Sequence, residues 1–400
     1  MDNLSPEKRC ILKMSDRNVQ LLFEVALKGI KVWLQEMKDE ENPKAEGPVK
    51  VEKPKKAETV PWFQGYICGL SPEAQKALKE AEKNLHSSQV DKKWLRYARK
   101  FNEMRLVKPP QFDMAVQPRE AYQRLCAMCR ENDLPEEVVS YVIPSLISYM
   151  ETGHMRPVLL IGDKGCGKTT FAKLIMKVML GMPVAVIKVP ETACGHSLTG
   201  DAGTYKSADL GDIARAQYRY ESLIMGIIID EIDKVPESSS QATIDEELLS
   251  ITDDSVDSVE DKYLESTLVG LPYCPIMLTG NDLTKVSKIL ADRCTIVRFP
   301  NPTPERMKSI IRKYVDKRLE EKAYSNTVFD LGLMEESIDY LLAEGVTSIR
   351  KHQEVIDAVL NFAFSTAMKR EEDGIIFVTR EMFEVAVEQV MENDKREDTR

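Results

Sequence analysis

No run of eighteen apolar residues occurs anywhere in these 400 residues. A membrane-crossing helix needs about twenty. The best candidate, Asn18 to Leu34, carries Glu24, Lys28 and Lys31, which the bilayer interior tolerates poorly. It also starts too far into the chain, with too little cleavage chemistry, for a secretory signal. A positive excess is missing too. Against 55 Lys and Arg stand 65 Asp and Glu, a formal charge of -10, whereas a dedicated nucleic-acid binder is usually basic. Cysteine is sparse, with 8 in the chain and no signal peptide, so the thiols read as reduced in a cytoplasmic, soluble protein. One CxxC, Cys126 and Cys129, lacks a second pair. In a helical pattern both lie on one face and read as core, since a zinc site normally needs four ligands.

What remains is ample material for more than one folded unit, without internal repeats. Val19, Leu22, Phe23, Ala26, Ile30, Trp33, Leu34 and Met37 recur at helical spacing, with a second stripe at Leu21, Val25 and Val32. Simple packing, a helical hairpin or a neighbouring subunit would cover both stripes. From Asp39 to Val60 prolines and charges dominate and almost nothing is buriable, which predicts a linker. A helical block follows over about Pro72 to Leu106. After Leu134 short runs alternate with amphipathic helices: "PVLLIG", "AVIKVP", "IMGIIID", "CPIMLTG" and "CTIVRF". Such runs predict a parallel sheet covered on both faces. Beyond Pro300 the strands are expected to stop, helices starting near Pro304, Leu333 and Thr347, and the chain closing with a short strand and a helix capped by Thr379.

The expected order is a helix over 1–38, a flexible linker over 39–60 and a helical region over 61–133. An α/β nucleotide-binding domain over 134–300, a helical lid over 301–393 and a tail over 394–400 complete it.

"LLIGDKGCGKTTF" is the most informative stretch. Gly162, Gly167, Lys168 and Thr169 satisfy G-x-x-x-x-G-K-[ST], with a strand before and a helix after. Gly165, Cys166 and Thr170 belong to the same cradle, whose backbone N–H groups face phosphate oxygens beside a helix N-terminus. Lys168 is expected to reach the β and γ phosphates, and the Thr169 hydroxyl to ligate magnesium. A second element, "MGIIIDEIDK", ends a buried strand in Asp230 and Glu231. Asp230 is suited to hold the magnesium through water, and Glu231 to polarise an attacking water. Asn281 ends the next strand, within reach of the γ-phosphate or the water. Arg293 precedes the strand after that, badly placed for its own nucleotide and well placed for a neighbour's, which implies a ring. Taken alone, Asn281 or Arg293 reads equally as a structural cap or a surface ion pair.

These elements resemble an AAA+ ATPase, and more narrowly the ATPase module of the Lon proteases. "DEIDK", "LLSITDDSVDSVEDKYLE", "GND", "LADR", "GHSLTGDAGTYKSADLG" and "EGVTSIRKHQEVI" fall in that family's order over about Leu134 to Asn393. The resemblance implies an α/β P-loop NTPase with a parallel sheet between helices, a helical lid subdomain and, before them, a helical N-terminal region. It implies ATP as the nucleotide and a hexameric ring in which Tyr205 faces a central pore and grips a polypeptide. Here Lys206 and Ser207 follow Tyr205, where the family has an apolar residue and a glycine. The family's sensor-2 arginine is replaced by Thr347, with Arg350 one helical turn later on the same face. The chain ends near the lid, so no proteolytic activity is expected in it.

Three uses of the nucleotide energy follow. The leading expectation is remodelling or unfolding of a protein substrate, with the N-terminal helices as adaptor or grip. A nucleic-acid motor or loader is disfavoured by charge but kept open by Lys206 and the lysine-rich linker. A slow, ATP-gated assembly switch is the third.

Overall fold

A computed structural model describes residues 69–84, 91–104, 118–189, 197–201, 208–234, 239–253, 259–268, 270–321, 324, 327–370 and 376–397. The expected helix over 1–38, the linker over 39–60 and Tyr205 lie outside the described residues.

A five-stranded sheet organises the chain. Its strands are β1 (Val158–Ile161), β2 (Val184–Lys188), β3 (Gly226–Asp230), β6 (Ile276–Gly280) and β7 (Thr295–Arg298), in the order β2-β3-β6-β1-β7. All pairings are parallel, with Ile161 beside both Gly280 and Arg298, and Lys188 beside Asp230. The carboxyl ends of β1, β3 and β6 therefore open on one edge, where ligands of open α/β sheets sit.

Both faces of the sheet are covered, which is why its strands read as unbroken apolar runs. Leu159, Ile161, Ile227, Ile229 and Leu278 point into one buried cluster, and Val158, Leu160, Ile228 and Met277 into the other. The first cluster is closed by α1 (Pro72–Lys83), α2 (Lys92–Glu103), α6 (Asp212–Tyr220) and α7 (Ser239–Ile251), through residues such as Leu78, Leu95, Phe101, Ile213 and Leu248. The second is closed by α3 (Pro118–Glu131), α4 (Val139–Thr152) and α5 (Lys168–Leu174), through Leu125, Leu146 and Phe171. Cys126 and Cys129 lie in that second cluster, and burial pushes the Cys129 thiol up to about 12.

Local chemistry sets the helix starts. Ser71 accepts from the Ala74 N–H at 3.2 Å, with Pro72 in the first turn of α1. Asp91 caps α2 by accepting from Lys93 and Trp94, and its other oxygen accepts from the Tyr263 hydroxyl at 2.7 Å. The cap of α2 is thus tied to the short hairpin of β4 (Glu260–Asp261) and β5 (Ser266–Thr267).

Beyond Pro300, α9 (Pro304–Leu319), α10 (Leu331–Ala343), α11 (Ile349–Arg370) and α12 (Arg380–Glu397) pack around a third buried cluster. The short closing strand falls where expected, but the expectation that no other strand follows Pro300 needs correction at Thr327–Val328. β8 (Thr327–Val328) and β9 (Ile376–Phe377) pair in parallel and tie the connections before α10 and α12 together. The two residues of β8 carry no readable alternation, and only the tertiary pairing reveals that strand.

Candidate functional site

The strand β1 is buried throughout, and the chain leaves it at Gly162. A Cβ there would lie 2.4 Å from the Phe299 carbonyl oxygen, so only glycine permits that approach. Three residues on, Gly165 has φ 85 and lies directly under the start of α11. The loop then turns into α5, whose first residue is Lys168. This lysine is only 7% exposed, and its ammonium donates to the carbonyls of Gly162 (2.7 Å) and Asp163 (2.8 Å) and to Oδ1 of Asn281 (3.1 Å). All three N–H donors of the ammonium thus have acceptors.

Thr169 donates its hydroxyl to Oδ1 of Asp230 at 3.0 Å, and Thr279 of β6 donates to the same oxygen. Glu231 follows with φ 62, a left-handed backbone uncommon for glutamate. Its N–H donates to Oγ1 of Thr279 at 3.2 Å, and its Oε1 accepts from Lys234 at 2.6 Å. Cys166 sits in the loop almost fully buried. Burial pushes its thiol up, against the pull of neighbouring Lys168, so it fills space rather than offering a thiolate.

Gly165, Cys166, Gly167, Lys168, Thr169, Thr170, Asp230, Glu231 and Asn281 line one cleft of ≈ 320 Å³. Gly162 lies just behind it, its carbonyl on Lys168. Arg350 reaches the same cleft from the lid, with Ile349 and Gln353. Arg293 does not. It ends α8 (Lys288–Arg293) and is held by its own chain, donating to the Leu249 carbonyl and pairing with Asp253 at 3.0 Å.

The same cleft is also lined by Asn132, Asp133 and Leu134, from the turn between α3 and α4, and by Ile310 of α9. Asp133 has φ 52 and accepts from Ser309 (2.8 Å) and Lys313 (2.5 Å) of α9, so the turn is fastened to the lid. Sequence reasoning missed this lining. "REND" signals only a turn, since Asn and Asp tolerate left-handed backbone, and nothing in it signals a ligand.

Residues 158–301 match the model of a family described as "ATPase family associated with various cellular activities (AAA)". This segment is an AAA domain. Further likeness runs to the Lon proteases. The chain is 26% identical over 207 residues to a Lon protease homolog of Acanthamoeba polyphaga mimivirus, covering 49% of this chain and 20% of that protein. It is 28% identical over 216 residues to a mitochondrial Lon protease homolog of Yarrowia lipolytica, covering 52% and 18%. It is 25% identical over 269 residues to a Lon protease of Clostridium acetobutylicum, covering 66% and 34%. The chain therefore spans between about a fifth and a third of these relatives' length. The AAA domain is Lon-like, and a helical region follows it in the chain. Among the described residues no helix is long and apolar enough to cross a membrane.

Proposed function

We propose that this AAA domain hydrolyses Mg-ATP, and that Arg293 completes the site of a neighbouring copy in a ring. The observation that carries the reading is a division of labour. Five side chains suited to phosphoryl transfer converge on one cleft, while the arginine stands outside it, held by Leu249 and Asp253 of its own chain. A cation absent from its own site is available to an adjoining one.

The donor set fits magnesium. A threonine hydroxyl and a carboxylate lie 3.0 Å apart on the cleft wall, both hard oxygen ligands. Thr169 and Asp230 would hold the ion, which would supply positive charge to offset that of the phosphates. Lys168 exchanges the loop carbonyls it now contacts for phosphate oxygens. Glu231 accepts the proton of the attacking water, and Asn281 orients that water or the γ-phosphate. Arg350, on the lid wall, meets the phosphates as the lid closes.

The work is assigned to remodelling or unfolding a protein, in a cytoplasmic ring of six copies. The Lon likeness supports this assignment, with Tyr205 as the residue that grips the polypeptide. The test is subunit mixing. Arg293→Ala and Glu231→Gln chains, each nearly inactive alone, are expected to regain measurable ATPase when combined, because some interfaces then carry both an intact Glu231 and an intact Arg293. Absence of any recovery, with both variants assembled, rules out the shared site.

A further inference from the structure

The residues that carry the hydrolysis reading leave their neighbours unexplained. β3 ends in Asp230, and the chain then makes a single tight turn, Ile232–Lys234. We propose that this turn is a positioning element, in which Asp233 fixes the amide of Asn281 and Lys234 fixes the carboxylate of Glu231. The inference rests on the hydrolysis reading and extends it to two residues that touch no reacting atom.

The backbone places them. Glu231 is held in its left-handed conformation from both sides, its N–H on Thr279 and its carbonyl accepting from the Lys234 N–H at 3.0 Å. Uncommon backbone of this kind persists where surrounding contacts over-determine it. The turn brings the side chain three residues on back over the glutamate, so that Lys234 Nζ lies 2.6 Å from Oε1. Both side chains are partly exposed, at 27% and 39%, and an ion pair in that setting adds little stability. Its consequence is geometric: one carboxylate oxygen is tethered, and the direction of the other is set.

Asp233, one residue earlier, turns inward. Its Oδ2 accepts from Nδ2 of Asn281 at 3.3 Å and from the Asp282 N–H at 3.2 Å. An asparagine amide has two unlike ends. With its NH2 on a carboxylate, its oxygen must face the Lys168 ammonium, as it does at 3.1 Å. The reversed amide would set donor against donor at Lys168 and acceptor against acceptor at Asp233, so the acid at 233 decides the orientation. The other oxygen of Asp233, Oδ1, is buried with no hydrogen-bond partner.

Double-mutant cycles on the full chain test the inference, reading single-turnover and steady-state Mg-ATP hydrolysis alongside equilibrium binding of a fluorescent ATP analogue. Lys234→Met is expected to lower kcat roughly ten- to a hundredfold, the scale of a misplaced catalytic group, with analogue affinity within about twofold. Lys234→Arg should recover most of the rate. Added to Glu231→Gln, Lys234→Met should cost nothing further, and Asp233→Ala added to Asn281→Ala should behave likewise. Wild-type kcat in both Lys234→Met and Asp233→Ala, or fully multiplicative losses in the two cycles, would overturn the positioning role while leaving hydrolysis standing. Should Lys234→Met fail to fold, a Lys234→Arg chain that folds yet stays inactive overturns it as well. A wild-type chain without Lys168-dependent turnover removes the hydrolysis reading, and this inference with it.

Discussion

Gly165 carries two constraints at once. Its φ of 85 disfavours any side chain, and a Cβ there would lie 3.0 Å from Oγ of Ser348 and 3.6 Å from the N of Arg350. The loop after β1 and the start of α11 are therefore in close contact at a residue with no side chain. Gly165→Ala is expected to raise the KM for ATP about tenfold, the equivalent of roughly 1.4 kcal/mol, by straining the loop and lifting Arg350 from the cleft. An unchanged KM would show that the contact is slack. Lys168 and Glu231 separate binding from chemistry. Lys168→Ala should abolish nucleotide binding in calorimetry, while Glu231→Gln should bind Mg-ATP and turn over at least a hundredfold more slowly. Lys168, Thr169, Asp230 and Glu231 were legible from sequence because each is tied to a neighbour in the chain by a short motif. Asp133 was not, because its partners Ser309 and Lys313 lie far along the chain and only packing brings them together.

At the scale of elements, two buried carboxylates hold the segments on either side of Tyr205. Glu247 of α7 accepts from the Leu198 N–H at 2.9 Å, from the Thr199 hydroxyl at 2.8 Å and from Ser197. Asp261 of β4 is fully buried and accepts from the N–H groups of Gly211 (2.8 Å), Leu264 (2.9 Å) and Tyr263 (3.1 Å). Burial pushes the Asp261 carboxyl from 3.8 up to about 6, although three N–H donors pull it down. The folded chain therefore holds this proton more tightly than the unfolded chain. The stability contributed is complete below pH 3.8 and fades as pH rises through about 6. Asp261→Asn sets an amide NH2 against a backbone N–H and should cost about 1–3 kcal/mol in urea unfolding. The gap between wild type and variant should narrow from pH 5 to pH 7, since only the wild type titrates; parallel profiles would contradict the assignment. The five sheet strands were readable as apolar runs between helical patterns. The β4–β5 hairpin was not, because "EDKYLEST" holds charged residues whose burial is decided by what packs over them.

For the molecule as a whole, α1 and α2 are part of the sheet's covering layer. Leu70, Leu78, Leu95 and Phe101 are each at most 5% exposed within the same cluster as Leu159 and Ile229. Lys93 donates to the Ala208 carbonyl at 2.9 Å, and Lys100 pairs with Glu221 at 2.6 Å. Each large side chain so buried contributes about 1.5–3 kcal/mol. A chain starting at residue 118 is therefore expected to melt well below the full chain or to aggregate, as differential scanning calorimetry would show; an equal melting temperature would make the two helices dispensable. Helix α9 is anchored by Lys313 to Asp133 and, just before its start, by Asn301 to Asp163 at 2.6 Å. Asp133→Ala cuts the first of these at the cleft wall and should weaken ATP binding several-fold, with less effect on kcat at saturation, as steady-state kinetics would reveal.

The sequence by itself determined the parallel α/β sheet, the glycine-bearing turn from β1 into α5 and the acidic end of β3. Each depends on local order: apolar runs long enough to be buried on both faces, glycines where backbone must approach phosphate, and charge placed at a strand end. Tertiary structure alone decided that Arg293 is held by Leu249 and Asp253, that Asp133 and Leu134 line the cleft, and that Asp233 reaches Asn281 while Lys234 reaches Glu231. Apart from the local pair of Lys234 with Glu231, those relations join residues far apart in the chain, where hydrogen-bond geometry and burial choose the partners.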